Sequence, residues 1–216
     1  MSVNRISAEE TTLTFALPKG RLQEQVQEHF GKAGIDFAFE KRKLVARDSS
    51  GTLEFLLVKN ADLPTYVHHG IAGLGVCGED VLYEAGFPLN RLLELPFGGT
   101  RMCLAGPKGA SIDYGEGGIK VATKFTRFTK DYFHAQNIPV EMVKLNGSVE
   151  LAPVLGLTPY IVDLVETGST LKANNLEVLK VLSEIKVHLV ANPAYYKYHY
   201  RRIGEFISSI GEIEHA

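Results

Sequence analysis

Short apolar, β-branched segments alternate along the chain with longer amphipathic segments. Strands are predicted at residues 12–17 and 53–58, and a helix lies between them at 22–33, where Leu22, Val26 and Phe30 share one helical face. Because strands and helices take turns along the whole chain, the pattern predicts an α/β fold with mixed, mostly parallel sheets.

The remaining predicted elements continue this alternation. Further strands are expected at residues 44–47, 74–77, 101–105, 119–123, 140–144, 160–165, 176–182 and 187–191. Further helices are expected at residues 62–69, 81–85, 125–136, 149–155, 171–174 and 194–210. Asp62 is expected to cap the first of these and Asn192, followed by Pro193, the last.

Two crossings of the chain are expected, one near residues 96–101, where a sharp turn is predicted, and one near 183–187. They would divide the chain into a first lobe, residues 1–97 with 185–216, and a second lobe, residues 98–184. A ligand is then expected in the cleft between the lobes, outside the carboxyl ends of the strands.

Composition and charge limit the classes of function. The 216 residues are 45% hydrophobic and 22% charged, with a net charge of −2, so neither nucleic acid nor an acidic membrane surface is favoured as a partner. Residues 1–10 lack the apolar core of a signal peptide, and apolar runs fall short of the roughly 20 residues needed to span a bilayer. A cytoplasmic location is therefore expected. Cys77 and Cys103 are expected to be buried free thiols rather than a disulfide or zinc site.

The segment from Tyr160 to Asn174 carries the clearest chemical signal. A buried strand leads into a turn of small hydroxyl residues around Gly168 and then into a short helix, and such turns bind phosphate through backbone N–H groups and hydroxyls. Asp163 and Glu166 would repel a bare phosphate, but they suit a sugar phosphate because they can accept hydrogen bonds from ribose. The alternative is an ordinary capped turn with two solvated acids.

Two other turns follow predicted strands. Lys19 and Arg21 flank Gly20 and suit phosphate oxygens, although a solvated basic turn explains them equally well. Glu79, after the strand at 74–77, could accept a hydrogen bond from an amine. Arg101, Lys124 and Arg127 are further candidates for the cleft, whereas the basic and aromatic run Tyr195–Arg202 is interpreted as a packing face.

Five segments, taken together and in order, resemble the ATP phosphoribosyltransferase family: Ala16–Leu22, Asp62–Val67, Gly75–Asp80, Leu145–Pro153 and Asp163–Leu171. The resemblance extends from about Thr12 to the final helix. It implies a fold similar to that of a periplasmic binding protein. It also implies transfer of the phosphoribosyl group of phosphoribosyl pyrophosphate to N1 of the adenine of ATP, with release of pyrophosphate and a requirement for Mg²⁺, as the first step of histidine biosynthesis.

The resemblance also implies roles for individual residues. The phosphoribosyl pyrophosphate site would consist of Asp163, Glu166, Thr167, Gly168, Ser169 and Thr170. The ATP site would consist of Leu17, Lys19, Gly20, Arg21, Glu79 and Arg101. Asp163 and Glu166 would stabilise the oxocarbenium character at C1, and Lys19 the charge of the leaving pyrophosphate. Mg²⁺ is expected to bind mainly through substrate oxygens, without a protein metal site.

The length resembles the short form of the family. Short forms work with a regulatory subunit that resembles histidyl-tRNA synthetase, so a homodimer within a hetero-oligomer is expected. One departure is Gly73, which stands where the family often has an acid. Two other functions remain open at this point: a solute-binding module without chemistry, and a phosphoribosyltransferase acting on another base.

Overall fold

The computed structural model of the chain describes residues 12–115 and 117–211. These residues hold nine strands: β1 Leu13–Pro18, β2 Val45–Arg47, β3 Leu53–Val58, β4 Leu74–Gly78, β5 Asn90–Pro107, β6 Ile119–Thr123, β7 Val140–Lys144, β8 Tyr160–Val165 and β9 Leu176–Ala191. They also hold seven α-helices: α1 Arg21–Lys32, α2 Leu63–His68, α3 Glu79–Ala85, α4 Thr126–Ala135, α5 Leu151–Val154, α6 Ser169–Ala173 and α7 Pro193–Gly211.

One compact unit contains the chain up to Gly98 and again from Val187. Its strand order is β2-β3-β1-β4-β9, with β1 parallel to both β3 and β4, and with β2 and β9 antiparallel to their neighbours. Its core includes phenylalanine rings whose neighbouring centroids lie 4.9–6.3 Å apart: Phe15, Phe30, Phe55 and Phe206. Since Phe206 belongs to α7, the C-terminal helix completes this core.

The other compact unit runs from Gly99 to Lys186, with the strand order β5-β8-β6-β7. β6 is parallel to β7 and β8, and β8 is antiparallel to β5. Met102, Val121 and Val162 are fully buried at the centre of this sheet. Because parallel strands end at the same edge, the turns that follow β6 and β8 lie side by side.

Two predicted breaks in strands are wrong. β5 runs without interruption through residues 95–100, and β9 runs through residues 183–187. In β5, Gly98 takes a φ of +72° and absorbs the irregularity in one residue, and a Cβ there would lie 2.8 Å from the Leu22 side chain. In β9, exposed Glu184 and Lys186 alternate with buried neighbours, which is the two-residue period of a strand.

Asp62 occupies the predicted N-cap position of α2, but its side chain does not cap the helix. Asn60–Asp62 form a 3₁₀ turn that leads directly into α2, and the Asp62 side chain makes no capping hydrogen bond. The backbone of Asp62 is helical, with φ −92° and ψ −14°, whereas a capping side chain needs an extended residue. Within the described residues, no helix is both long and apolar enough to cross a bilayer. Residues 1–10, on which the signal-peptide expectation rests, lie outside the described part.

Asn192 caps two helices. Its Oδ1 accepts hydrogen bonds from the backbone N–H groups of Ala194 and Tyr195, at 2.9 and 3.1 Å, as predicted for the start of α7. Its Nδ2 donates to the backbone carbonyls of Val67 and His68, at 3.1 and 2.8 Å, at the end of α2. One side chain therefore satisfies both donors and acceptors that helix ends leave unpaired.

Replacement of Asn192 with Ala should lower the free energy of unfolding by about 2 kcal/mol, because it removes a helix cap together with two further hydrogen bonds. Thermal or urea unfolding measures this directly. Asn174→Ala is the matched control, since Nδ2 of Asn174 makes a single exposed hydrogen bond, to the carbonyl of Thr170. Equal losses in the two variants would contradict a special role for Asn192.

Candidate functional site

The turn after β8 borders a cavity of about 320 Å³. Every residue predicted to bind phosphoribosyl pyrophosphate lines it: Asp163, Glu166, Thr167, Gly168, Ser169 and Thr170. Glu150, just before α5, also lines the cavity and was missed by the sequence analysis. The cavity lies wholly within the second unit, at the carboxyl end of a strand, where α/β sheets commonly bind ligands.

The local sequence explains the shape of the turn. Gly168 has a φ of +74°, which an L side chain rarely adopts, and it brings the chain from β8 into α6. The Thr167 hydroxyl donates to Ser169 Oγ at 3.1 Å and accepts from the Ser169 N–H at 3.4 Å. The turn thus gathers hydroxyls and the first N–H groups of α6, which lack partners within the helix. Both kinds of group can donate to phosphate oxygens.

The charge of the cavity lining is acidic. Glu150, Asp163 and Glu166 contribute carboxylates, and the described lining includes neither Lys nor Arg. Lys124, which does not line the cavity, places its Nζ 3.6 Å from Asp163 Oδ1. Hydroxyl and amide donors next to carboxylate acceptors suit a ligand that carries both a phosphate and sugar hydroxyls.

The basic turn after β1 belongs to the first unit. Lys19 and Arg21 are exposed on either side of Gly20, whose φ of +101° again suits only glycine. The Lys19 N–H donates to the Val58 carbonyl at 3.0 Å, which anchors the turn to β3. Leu17, by contrast, is fully buried in the core, so only its backbone could contact a ligand.

Glu79 begins α3, at the same sheet edge as the basic turn because β1 and β4 are parallel. Its Oε1 accepts a hydrogen bond from Arg91 at 2.8 Å and lies 3.1 Å from His188 Nε2. The carboxylate therefore already has two protein partners, neither of which the sequence analysis identified. His188 is 109 residues away along the chain and is brought close by the pairing of β4 with β9.

Arg101 belongs to the second unit, whereas the other predicted ATP-binding residues belong to the first. It lies on β5 directly opposite Val165, the last residue of β8. Opposite residues of antiparallel strands place their side chains on the same face of the sheet. Arg101 is thus a near neighbour of the Glu166–Thr170 turn.

Both cysteines are free and buried, as predicted. Burial is the main cause that raises the pKa of each thiol, so both remain protonated near neutral pH and are poor nucleophiles. Among residues 12–115 and 117–211, no cluster of three His, Cys, Asp or Glu side chains is arranged to hold a metal ion.

The family model and the similar curated proteins carry the same description. The family model described as ATP phosphoribosyltransferase matches residues 59–212. The ATP phosphoribosyltransferase of Wolinella succinogenes is 46% identical over 181 residues, covering 83% of this chain and 87% of the relative. That of Caldicellulosiruptor saccharolyticus is 48% identical over 189 residues, covering 84% and 90%.

Solved structures agree with the fold. The ATP phosphoribosyl transferase (HisG:HisZ) complex from Thermotoga maritima includes a chain that is 40% identical, with a TM-score of 0.81 and coverage of 95% of this chain and all of that one. Tv2483, solved with L-arginine bound, shares the fold at 10% identity, with a TM-score of 0.64 and coverage of 98% and 88%. The expected α/β fold, similar to that of periplasmic binding proteins, is confirmed. Fold, family model and close relatives together establish that the chain belongs to the ATP phosphoribosyltransferase family.

Proposed function

We propose that the cavity after β8 binds phosphoribosyl pyrophosphate, with the 5'-phosphate in the Glu166–Thr170 turn and the ribose facing Asp163. As a member of its family, the chain is a phosphoribosyltransferase. It transfers the phosphoribosyl group to N1 of the adenine of ATP and releases pyrophosphate, the first step of histidine biosynthesis. The proposed placement is supported by one observation: hydroxyl donors and carboxylates line the same cavity.

The chemistry of the reaction fits these groups. Departure of pyrophosphate leaves positive charge on C1 and the ring oxygen of the ribose, and carboxylates placed nearby stabilise that charge. Asp163 and Glu166 would serve in this way. Adenine N1 needs no strong activation once the two substrates are aligned, so much of the rate enhancement would come from positioning.

The ATP site is proposed at the turns of the first unit, from Leu17, Lys19, Gly20, Arg21 and Glu79. Lys19 and Arg21 are exposed cations that would offset phosphate charge. Arg101 is included in the proposal, although its place beside the end of β8 also suits a phosphate of the ribosyl donor.

Mg²⁺ belongs to the same proposal. Mg²⁺ would be bound mainly by substrate oxygens and water. Asp163, Glu166 and Glu150 at the cavity carry carboxylates of the kind that Mg²⁺ accepts, so the residues present are compatible with the substrate-bound ion. The ion would neutralise charge on the departing pyrophosphate.

A regulatory partner is proposed on the strength of the Thermotoga maritima neighbour, which was solved as a complex of two proteins. The partner would be a subunit that resembles histidyl-tRNA synthetase and would assemble with a homodimer of this chain. A cytoplasmic location belongs to the same proposal. We also propose that the two compact units correspond to the expected lobes, residues 1–97 with 185–216 and residues 98–184.

The Thr170→Ala variant tests the phosphate site. It should raise the KM for phosphoribosyl pyrophosphate about 10-fold, because a hydrogen bond to a charged group contributes about 1.5–3 kcal/mol. The KM for ATP should stay the same. Steady-state kinetics, followed by the absorbance of N1-ribosylated adenine and by pyrophosphate release, measure both constants.

Thr126→Ala is the matched control, since Thr126 also begins a helix of the second unit but does not line the cavity. An unchanged KM for the ribosyl donor in Thr170→Ala would contradict the placement. Ligand binding without any product would favour the solute-binding alternative, and product formed only with another base would favour the second alternative.

A further inference from the structure

Lys124 lies beside Asp163 at the end of two parallel strands. Thr123, the last residue of β6, is opposite Val162 of β8. Lys124 and Asp163, which follow them in the chain, therefore lie side by side. The Lys124 Nζ lies 3.6 Å from Asp163 Oδ1 and 4.8 Å from the centre of the Phe125 ring. Lys124 thus faces the carboxylate from outside the lining of the cavity.

The backbone on both sides of Lys124 is held by one buried hydroxyl. Thr123 Oγ1 donates to the Val162 carbonyl at 2.7 Å and accepts from the Phe125 N–H at 2.9 Å. Thr123 is fully buried, so water does not compete for these hydrogen bonds. The base of the Lys124 side chain is therefore fixed relative to β8.

The Asp163 carboxylate depends on this cation. Oδ1 is closed to solvent and has no hydrogen-bond partner. Leaving a carboxylate oxygen buried without a partner is unfavourable, and here the ammonium of Lys124, just beyond hydrogen-bond distance, supplies the compensating charge. Since the Asp163 side chain as a whole is partly exposed, its accessible part lies away from Oδ1.

The cavity presents an electrostatic problem for its ligand. Three carboxylates line it, and a phosphate group entering it would be repelled by each of them. A cation beside Asp163 reduces that repulsion and leaves the carboxylate as an acceptor for ribose hydroxyls.

We propose that Lys124 is a positioning residue for the phosphoribosyl donor and that it acts through Asp163. It offsets part of the charge of that carboxylate and orients it, so that an acidic cavity can admit an anionic sugar phosphate while Asp163 stays ionised. The inference rests on the proposed function, because it takes phosphoribosyl pyrophosphate as the ligand of the cavity. The alternative is that Lys124 contacts the ligand directly, in which case its effect on binding would not depend on Asp163.

A double-mutant cycle on binding separates these cases. The full chain and its Lys124→Met, Asp163→Asn and double variants are titrated with phosphoribosyl pyrophosphate and Mg²⁺ by calorimetry. Lys120→Met is the matched control: Lys120 lies on β6, which ends one residue before Lys124, and pairs with Glu141. Its side chain is 42% exposed against 43% for Lys124. Lys124→Arg tests rescue by a conserved charge.

We expect Lys124→Met to weaken binding about 10-fold and Lys124→Arg to restore most of it, because a partly buried carboxylate loses its counter-charge only in the first variant. Lys120→Met should bind as the wild type does. Asp163→Asn alone should also weaken binding several-fold, because an amide is a poorer acceptor for ribose hydroxyls than a carboxylate. In the Lys124→Met background the same change should cause no further loss, since it removes the uncompensated charge.

Two results would overturn the inference alone. One is a Lys124→Met variant that binds like the wild type, and the other is a double variant whose loss is the product of the two single losses, which indicates independent contacts. In both cases the wild-type chain still makes the N1-ribosylated product, so the proposed function stands. A wild-type chain that neither binds the ribosyl donor nor forms product would instead refute the proposed function.

Discussion

Replacing Glu166 with Gln should lower kcat about 100-fold, the scale on which loss of one preorganised electrostatic group acts. The change keeps the shape of the side chain and removes its charge. If Glu166 stabilises the positive charge that develops on the ribose, the loss appears only in the transition state and therefore in kcat. The KM for ATP should remain the same. Single-turnover measurement of product formation separates this chemical step from product release.

Glu150→Gln is the control for that experiment. Glu150 also lines the cavity, and the change removes the same charge, but no catalytic role is proposed for it. We expect a small change in kcat in this variant. Equal losses at the two positions would mean that the total charge of the cavity matters rather than the position of Glu166. A higher KM for the ribosyl donor with an unchanged kcat would make Glu166 a binding residue only.

The turn after β8 could be predicted from sequence because its determinants are local. An apolar run predicts β8, the glycine and hydroxyl residues predict the turn, and all of them lie within about a dozen positions. The structure places the predicted residues of this site around a single cavity. Short-range patterns of this kind need no knowledge of tertiary structure.

Contacts between distant segments could not be predicted in this way. Glu79 meets His188 only because β9 pairs with β4, and Lys124 meets Asp163 only because β6 pairs with β8. No local pattern around either acid contains its partner. The pairing of strands, and hence the charge balance of the site, depends on the fold as a whole.

The continuous strands show a different limit. Pro96 and the glycines at 98 and 99 are typical turn residues, and they led to a predicted break in β5. The structure accommodates them because Gly98 alone takes a positive φ, where the Leu22 and Val187 side chains approach the backbone closely. Sequence shows that glycine is present, but not whether it ends a strand or admits a neighbour.

Gly73, a position where the resemblance implies an acid, lies against Tyr195. A Cβ at Gly73 would lie 2.1 Å from the Tyr195 ring, far inside normal contact. The ring is held in place because its hydroxyl accepts from the Thr14 N–H at 3.2 Å and donates to the Thr12 carbonyl at 3.3 Å. Gly73 itself donates to Thr14 Oγ1 at 3.0 Å. The aromatic ring thus fills the space of the missing side chain.

Gly73→Asp should lower the free energy of unfolding by about 3 kcal/mol, because the new side chain overlaps a ring that cannot move without losing both hydrogen bonds. For a chain of this length, such a loss lowers Tm by about 6–12 °C. Thermal and urea unfolding measure the effect. Gly204→Ala is the control, since a Cβ there meets nothing within 4 Å and alanine favours the helix.

The Tyr195→Ala background tests whether the loss in Gly73→Asp arises from overlap with the Tyr195 ring. Once the ring is gone, Gly73→Asp should cost less than about 1 kcal/mol, so the two changes together should destabilise the chain less than the sum of their separate effects. Such coupling would show that the Tyr195 ring is what excludes a side chain at residue 73. Purely additive losses would contradict it, because they would place the strain of Gly73→Asp in the backbone rather than against Tyr195.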